Sequence, residues 1–147
     1  MAVSALTGHG DPDVLAVLPA TITPRRVAMV GLHSCDDDDY PNIAEWGLQS
    51  VSPNELRESS TVLLDWLAAT GSSRVAIHFD VDTIDSNEMV LGLGAEPGSL
   101  TSAQVRRIVT DIDQAVDVVG FTIAEFIPRQ VMHLQQVLKG FHWLQTP

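Results

Sequence analysis

At 147 residues the chain has the length of one domain, and a 45% share of hydrophobic residues is enough to bury a core, which excludes a disordered polypeptide. Its 19 acidic against 8 basic side chains, a formal net charge of -11, argue against a nucleic-acid or anionic-membrane surface and favour cations or cationic small molecules as ligands. A single cysteine, Cys35, excludes an internal disulfide and a multi-cysteine metal site; with no secretory leader in Met1-Ala-Val-Ser and no membrane-length apolar run, the sequence reads as cytoplasmic.

Residues 1–18 carry apolar positions at loosely helical spacing, interrupted by Gly8-His9-Gly10-Asp11-Pro12, and predict two short helices or a helix and a turn. Arg26 to Leu32 reads as a first buried strand, and His33 to Asn42, with Asp36 to Asp39 in a row, as a solvated loop. Ser52-Pro53-Asn54-Glu55 is a helix start: Ser52 as N-cap, Pro53 at the first helical position and Glu55 reaching back in a capping box. That helix is expected to run to about Thr70, where Gly71 ends it. A second strand follows at Arg74 to Phe79 or slightly beyond. Thr101 with Gln104 repeats the capping signature before an apolar stripe at Val105, Ile108, Val109, Ile112, Ala115 and Val116. A third strand at Val118 to Ala124 closes on Glu125, and a last helix at about Arg129 to His142 turns Val131, Leu134, Val137, Leu138 and Phe141 inward. Strands alternating with amphipathic helices predict a three-layer α/β/α fold with a mostly parallel sheet, residues 1–147 forming a single domain.

Val75-Ala-Ile-His-Phe-Asp80-Val-Asp82-Thr-Ile-Asp85 is an apolar run that ends in closely spaced carboxylates. Open α/β sheets bind ligands at the carboxyl ends of their strands. If the strand persists to residue 82, Asp80 and Asp82 point the same way, and their repulsion favours a hard cation between them. The plain alternative is a polar loop after a strand, but Ser86 to Leu100 is long for a structureless connection, which favours function. Glu125 ends another apolar run and is expected on the same edge, where the acids would bind a cation and a positively charged substrate group. His78 reads as a core histidine and His33 as the better candidate for a polar site; His9, His133 and His142 read as surface residues.

Phe79-Asp-Val-Asp-Thr-Ile-Asp85, then Glu96-Pro-Gly-Ser-Leu-Thr101, then Val119-Gly-Phe-Thr-Ile-Ala-Glu125-Phe-Ile-Pro128 resemble the C-terminal half of the ureohydrolases, the family of arginase and agmatinase. Val30-Gly-Leu-His33 and the Ser52-Pro-Asn-Glu-Leu helix are similar in order and spacing. The resemblance implies a manganese-dependent hydrolase that converts a small guanidino compound, arginine or similar, to urea and an amine. It implies Asp80 and Asp82 as metal ligands, Asp85 as a brace of the loop, and Glu125 as the acid that holds the substrate guanidinium.

Two departures accompany it. The family's Gly-Gly-Asp-His and Asp-Ala-His-x-Asp motifs occur nowhere in these residues, and Ser86 stands where the family has proline. The expectation is therefore an arginase-like domain with its N-terminal half missing, inactive in isolation, binding manganese weakly or not at all, and associating with itself or with a complementary N-terminal segment. A non-catalytic remnant or interaction module is a second reading. A haloacid-dehalogenase-type phosphatase is a third, because Phe79-Asp80-Val-Asp82-Thr83 also resembles that family's nucleophile motif; it needs a lysine, and Lys139 is the chain's only one.

Overall fold

Short apolar runs punctuated by Gly8 and Pro12 give two helices of little more than a turn, α1 (Ala2–Leu6) and α2 (Pro12–Val17), in the computed structural model of the protein, which describes residues 2–34 and 39–144. Asp11 caps α2, its carboxylate accepting the Asp13 N–H at 2.8 Å. The first strand is shorter than its apolar run: Pro24–Arg26 forms a 3₁₀ turn and β1 covers Ala28–Val30. Gly31, at φ 79°, ends it in a conformation that side-chain-bearing residues rarely adopt. Helix α3 (Asp39–Trp46) occupies part of the stretch expected to be loop, while Asp36 to Asp38 lie outside the described residues. β2 (Gln49–Val51), too short to show a pattern, pairs with β1.

The capping box at Ser52 is present: the Glu55 carboxylate accepts the Ser52 N–H at 2.9 Å and its hydroxyl at 2.7 Å. The helix it starts is broken in two, α4 (Pro53–Leu56) and α5 (Thr61–Thr70). The cause is local, since the Ser59 hydroxyl accepts the Thr61 N–H at 3.1 Å and restarts the helix. Gly71, left-handed at φ 66°, closes α5. β3 (Arg74–Asp80) follows; then come α6 (Ser102–Ala115), β4 (Asp117–Ala124) and α7 (Val131–Leu138), the last shorter than its periodicity suggests.

Contacts group the chain into two units, residues 1–29 with 35–50 and residues 30–34 with 51–147. In the first unit the His9 and Trp46 rings stack with centroids 4.3 Å apart. In the second, β3 and β4 pair in parallel, Asp80 opposite Ala124. Its core holds Leu56, Leu63 and Leu67, then Val105, Ile108 and Val109 from the α6 stripe, and Leu134, Val137 and Phe141 from the chain's end. Val131 departs from expectation: at the first position of α7 it is exposed. Phe141 meets Phe79, Phe121 and Trp143 at ring separations of 6.3, 5.4 and 5.6 Å, so one face of the strand pair is closed by aromatic packing.

Candidate functional site

The parallel register decides where the acids fall. β3 ends at Asp80 and β4 at Ala124, its partner, so Glu125 emerges one residue beyond, at the same end of the pair. Asp82 reaches this edge by another route than strand alternation. The strand stops at Asp80 and Val81–Thr83 winds into a 3₁₀ turn, pinned by Val81 and Ile84, 1% and 0% exposed. The turn still brings Asp82 into hydrogen-bonding contact with Asp80.

Electrostatics report the crowding. The Asp82 carboxyl is pushed up to about 6, chiefly by burial, then by the charge of Asp80 and its hydrogen bond, then by the charge of Glu125, with His33 pulling the other way. Asp80 Oδ1 is buried and has no hydrogen-bond partner. A buried carboxylate oxygen without a donor, next to a second carboxylate that resists ionisation, is the arrangement a cation relieves. Asp80 and Asp82 therefore fit the carboxylate part of a metal's ligand set. Among the described residues no group of three or more His, Cys, Asp or Glu side chains is arranged to hold a metal ion.

The connection from Ser86 to Leu100 is ordered by this same acid-rich turn. Asp85 accepts the Asn87 N–H at 2.8 Å and the Gly98 N–H at 3.0 Å, bonds that hold its carboxyl below the usual carboxylate range. The Leu100 N–H donates to Thr83 O at 3.1 Å, and Asp85 N–H returns to Leu100 O at 2.8 Å. Glu88 receives the Ser102 N–H and hydroxyl at 2.6 and 2.5 Å, fastening the loop to the start of α6.

Two glycines let the loop approach closely. A Cβ on Gly94 would lie 2.8 Å from Asp82 Oδ2, and one on Gly92 would lie 2.7 Å from the Glu125 carbonyl oxygen. Glu125 itself has φ 57°, the one positive value at a non-glycine among the described residues. The sequence offered a signal for these contacts in Gly92-x-Gly94 following an acid-bearing strand end.

Ser99 carried no such signal. It is fully buried, its hydroxyl 3.1 Å from His33 Nδ1, 3.2 Å from Nε2 and 3.4 Å from the Asp82 carbonyl oxygen. His33 thus lies beside the acidic edge. His78 is not the core histidine its strand suggested: the odd-numbered Phe79 takes the buried face, and His78 is exposed with Nδ1 2.7 Å from Thr122 Oγ1. His9, His133 and His142 are exposed, as is Lys139 at the end of α7.

Comparison with known proteins gives one answer. The sequence model of the arginase family matches residues 4–136. An arginase of Agrobacterium fabrum is 28% identical over 131 residues, which cover 86% of this chain and 40% of that relative. An agmatinase of Chromobacterium violaceum is 26% identical over 121 residues, covering 82% of this chain and 36% of its own. The fold matches the crystal structure of Entamoeba histolytica arginase in complex with L-ornithine, with a TM-score of 0.81 at 19% identity over 95% of this chain and 49% of that one. The chain thus spans about half or less of each of these relatives.

Proposed function

The chain belongs to the arginase family, and from that premise we propose that it carries the carboxylate edge of a site that hydrolyses a small guanidino compound to urea and an amine. The observation that carries this reading is the convergence of Asp80, Asp82 and Glu125 at one end of a parallel strand pair. Asp80 and Asp82 would hold manganese, and Asp85 would brace the loop that closes beside them. When bound, the metal supplies Lewis-acid activation of water at neutral pH. Glu125 would orient the guanidinium by a charge-assisted hydrogen bond, so that its central carbon faces the water. Net, the carbon would gain the water oxygen and lose its bond to the substituted nitrogen, which would keep the bonding pair, take up the two protons of the water and depart as the protonated amine, leaving urea.

Among the described residues two carboxylates stand together at this edge, fewer donors than a catalytic metal site uses. We therefore propose these 147 residues as the C-terminal portion of one arginase-like domain that associates with itself or with a complementary N-terminal segment bringing histidine ligands; the location we propose is cytoplasmic. Nothing favours the phosphatase reading.

Urea release tests the assignment. With manganese and arginine or agmatine, the purified chain is expected to release none above background. Co-expression with a segment bearing Gly-Gly-Asp-His and Asp-Ala-His-x-Asp is expected to restore turnover, and Asp80→Asn to abolish it. Urea made by the chain alone and lost in Asp80→Asn would overturn the need for a complementary segment; no urea with the added segment would leave the non-catalytic module.

A further inference from the structure

Ser99 joins three parts of the second unit that are remote in sequence: His33 after β1, the turn bearing Asp82, and the end of the loop that leads into α6. It has no solvent exposure, so its hydroxyl can bond only within the protein, and leaving that hydroxyl unpaired would carry a desolvation cost. One arrangement satisfies the Ser99 hydroxyl both as acceptor and as donor, with a His33 ring N–H donating to Oγ at 3.1–3.2 Å and the hydroxyl donating to the Asp82 carbonyl at 3.4 Å. The next residue, Leu100, is bridged to Ile84 just after the turn, so Ser99 cannot shift without the loop end shifting too. Gly94, midway along the same loop, approaches Asp82 so closely that a Cβ there would lie 2.8 Å from Oδ2. The loop therefore bonds Asp82 at its carbonyl through Ser99 and passes close to its carboxylate at Gly94.

We propose that Ser99 is a positioning residue: through its buried hydroxyl it locks the His33 ring to the Asp82 turn and so fixes where the Asp82 carboxylate points on the acidic edge. The inference rests on reading that edge as a cation site. Ser99 touches no reacting atom in this role; it acts through His33 and through the backbone of Asp82. Groups that orient a ligand in this way typically change metal affinity by about 10- to 100-fold when removed.

The test uses the whole 147-residue chain and terbium(III), a hard cation read by its luminescence. Asp80→Asn and Asp82→Asn locate the ion. If both leave terbium affinity unchanged, the ion is elsewhere, and the cation-site reading and this inference fall together. If both weaken it, Ser99→Ala is expected to weaken it about tenfold and Ser99→Thr to restore it. In parallel, nitrogen-15 spectra are expected to show a His33 ring N–H protected from exchange in the wild type and Ser99→Thr, and lost in Ser99→Ala. His33→Phe, which keeps a ring but removes its nitrogens, repeats the affinity test if Ser99→Ala does not fold. Wild-type affinity in whichever of these two variants folds, with Asp80→Asn and Asp82→Asn weakened, would overturn the positioning role alone.

Discussion

Asp80 and Glu125 are 45 positions apart in sequence and one register step apart in space, because Asp80 pairs with Ala124 across parallel strands. The consequence is an acidic edge whose parts are separately strained. Glu125 holds a left-handed backbone, and Asp82 holds a carboxyl that resists its charge.

Glu125→Gly should relieve the backbone. A non-glycine residue in a sparsely populated region costs about 1–3 kcal/mol, and glycine removes most of that while adding some unfolded-chain entropy. Chemical denaturation is expected to show a gain of about 1 kcal/mol, in a variant that has lost the proposed guanidinium contact. A loss of stability would mean that the Glu125 side chain holds the edge together.

Asp82 sets a pH dependence of definite sign. Its folded carboxyl titrates at about 6, above the ordinary 3.8, so the folded state holds the proton more tightly than the unfolded one. The resulting stability is fully present below 3.8 and is lost as pH rises through about 6. Asp82→Asn is expected to flatten the denaturation midpoint across that window and to exceed wild type at pH 8. Equal slopes in the two proteins would assign the trend to other groups.

Gly92→Ala should be poorly tolerated. Its methyl would lie 2.7 Å from the Glu125 carbonyl oxygen and 3.1 Å from Val81 Cγ2, and neither neighbour is a flexible chain end. Overpacking of this kind costs about 1–3 kcal/mol, readable as a lowered melting temperature.

Phe141→Ala removes the ring at the centre of the aromatic cluster on β3 and β4. Phe141 is 0% exposed, and a truncation of this kind costs about 3–5 kcal/mol. Calorimetry is expected to show a large fall in melting temperature, with Val131→Ala, on the exposed side of α7, nearly silent.

What the sequence made readable was whatever a few neighbouring residues decide. The α6 start follows from Thr101 and Gln104 bonding each other's backbone at 3.2 and 2.8 Å, and β3 and β4 follow from apolar runs, which also put Asp80 and Glu125 at strand ends. The rest depends on distant partners. Ser99 meets His33 from 66 positions away, and no local pattern marks such a pair. The break between α4 and α5 was hidden because serine lowers helix propensity only modestly, yet here two of the four residues from Arg57 to Ser60 are serines and Ser59 turns its hydroxyl onto Thr61.

Helix α4 shows a dependence of another kind. Its start lies in its own residues, but its last carbonyls are met from α6: the Arg107 guanidinium donates to Leu56 O and, at 2.9 Å, to Arg57 O, and Gln104 donates to Arg57 O at 3.1 Å. One turn of helix is too short to persist in water by itself. Order of assembly follows, since α4 becomes stable only after α6 has docked, and its amides should exchange with solvent no more slowly than the opening of α6 allows.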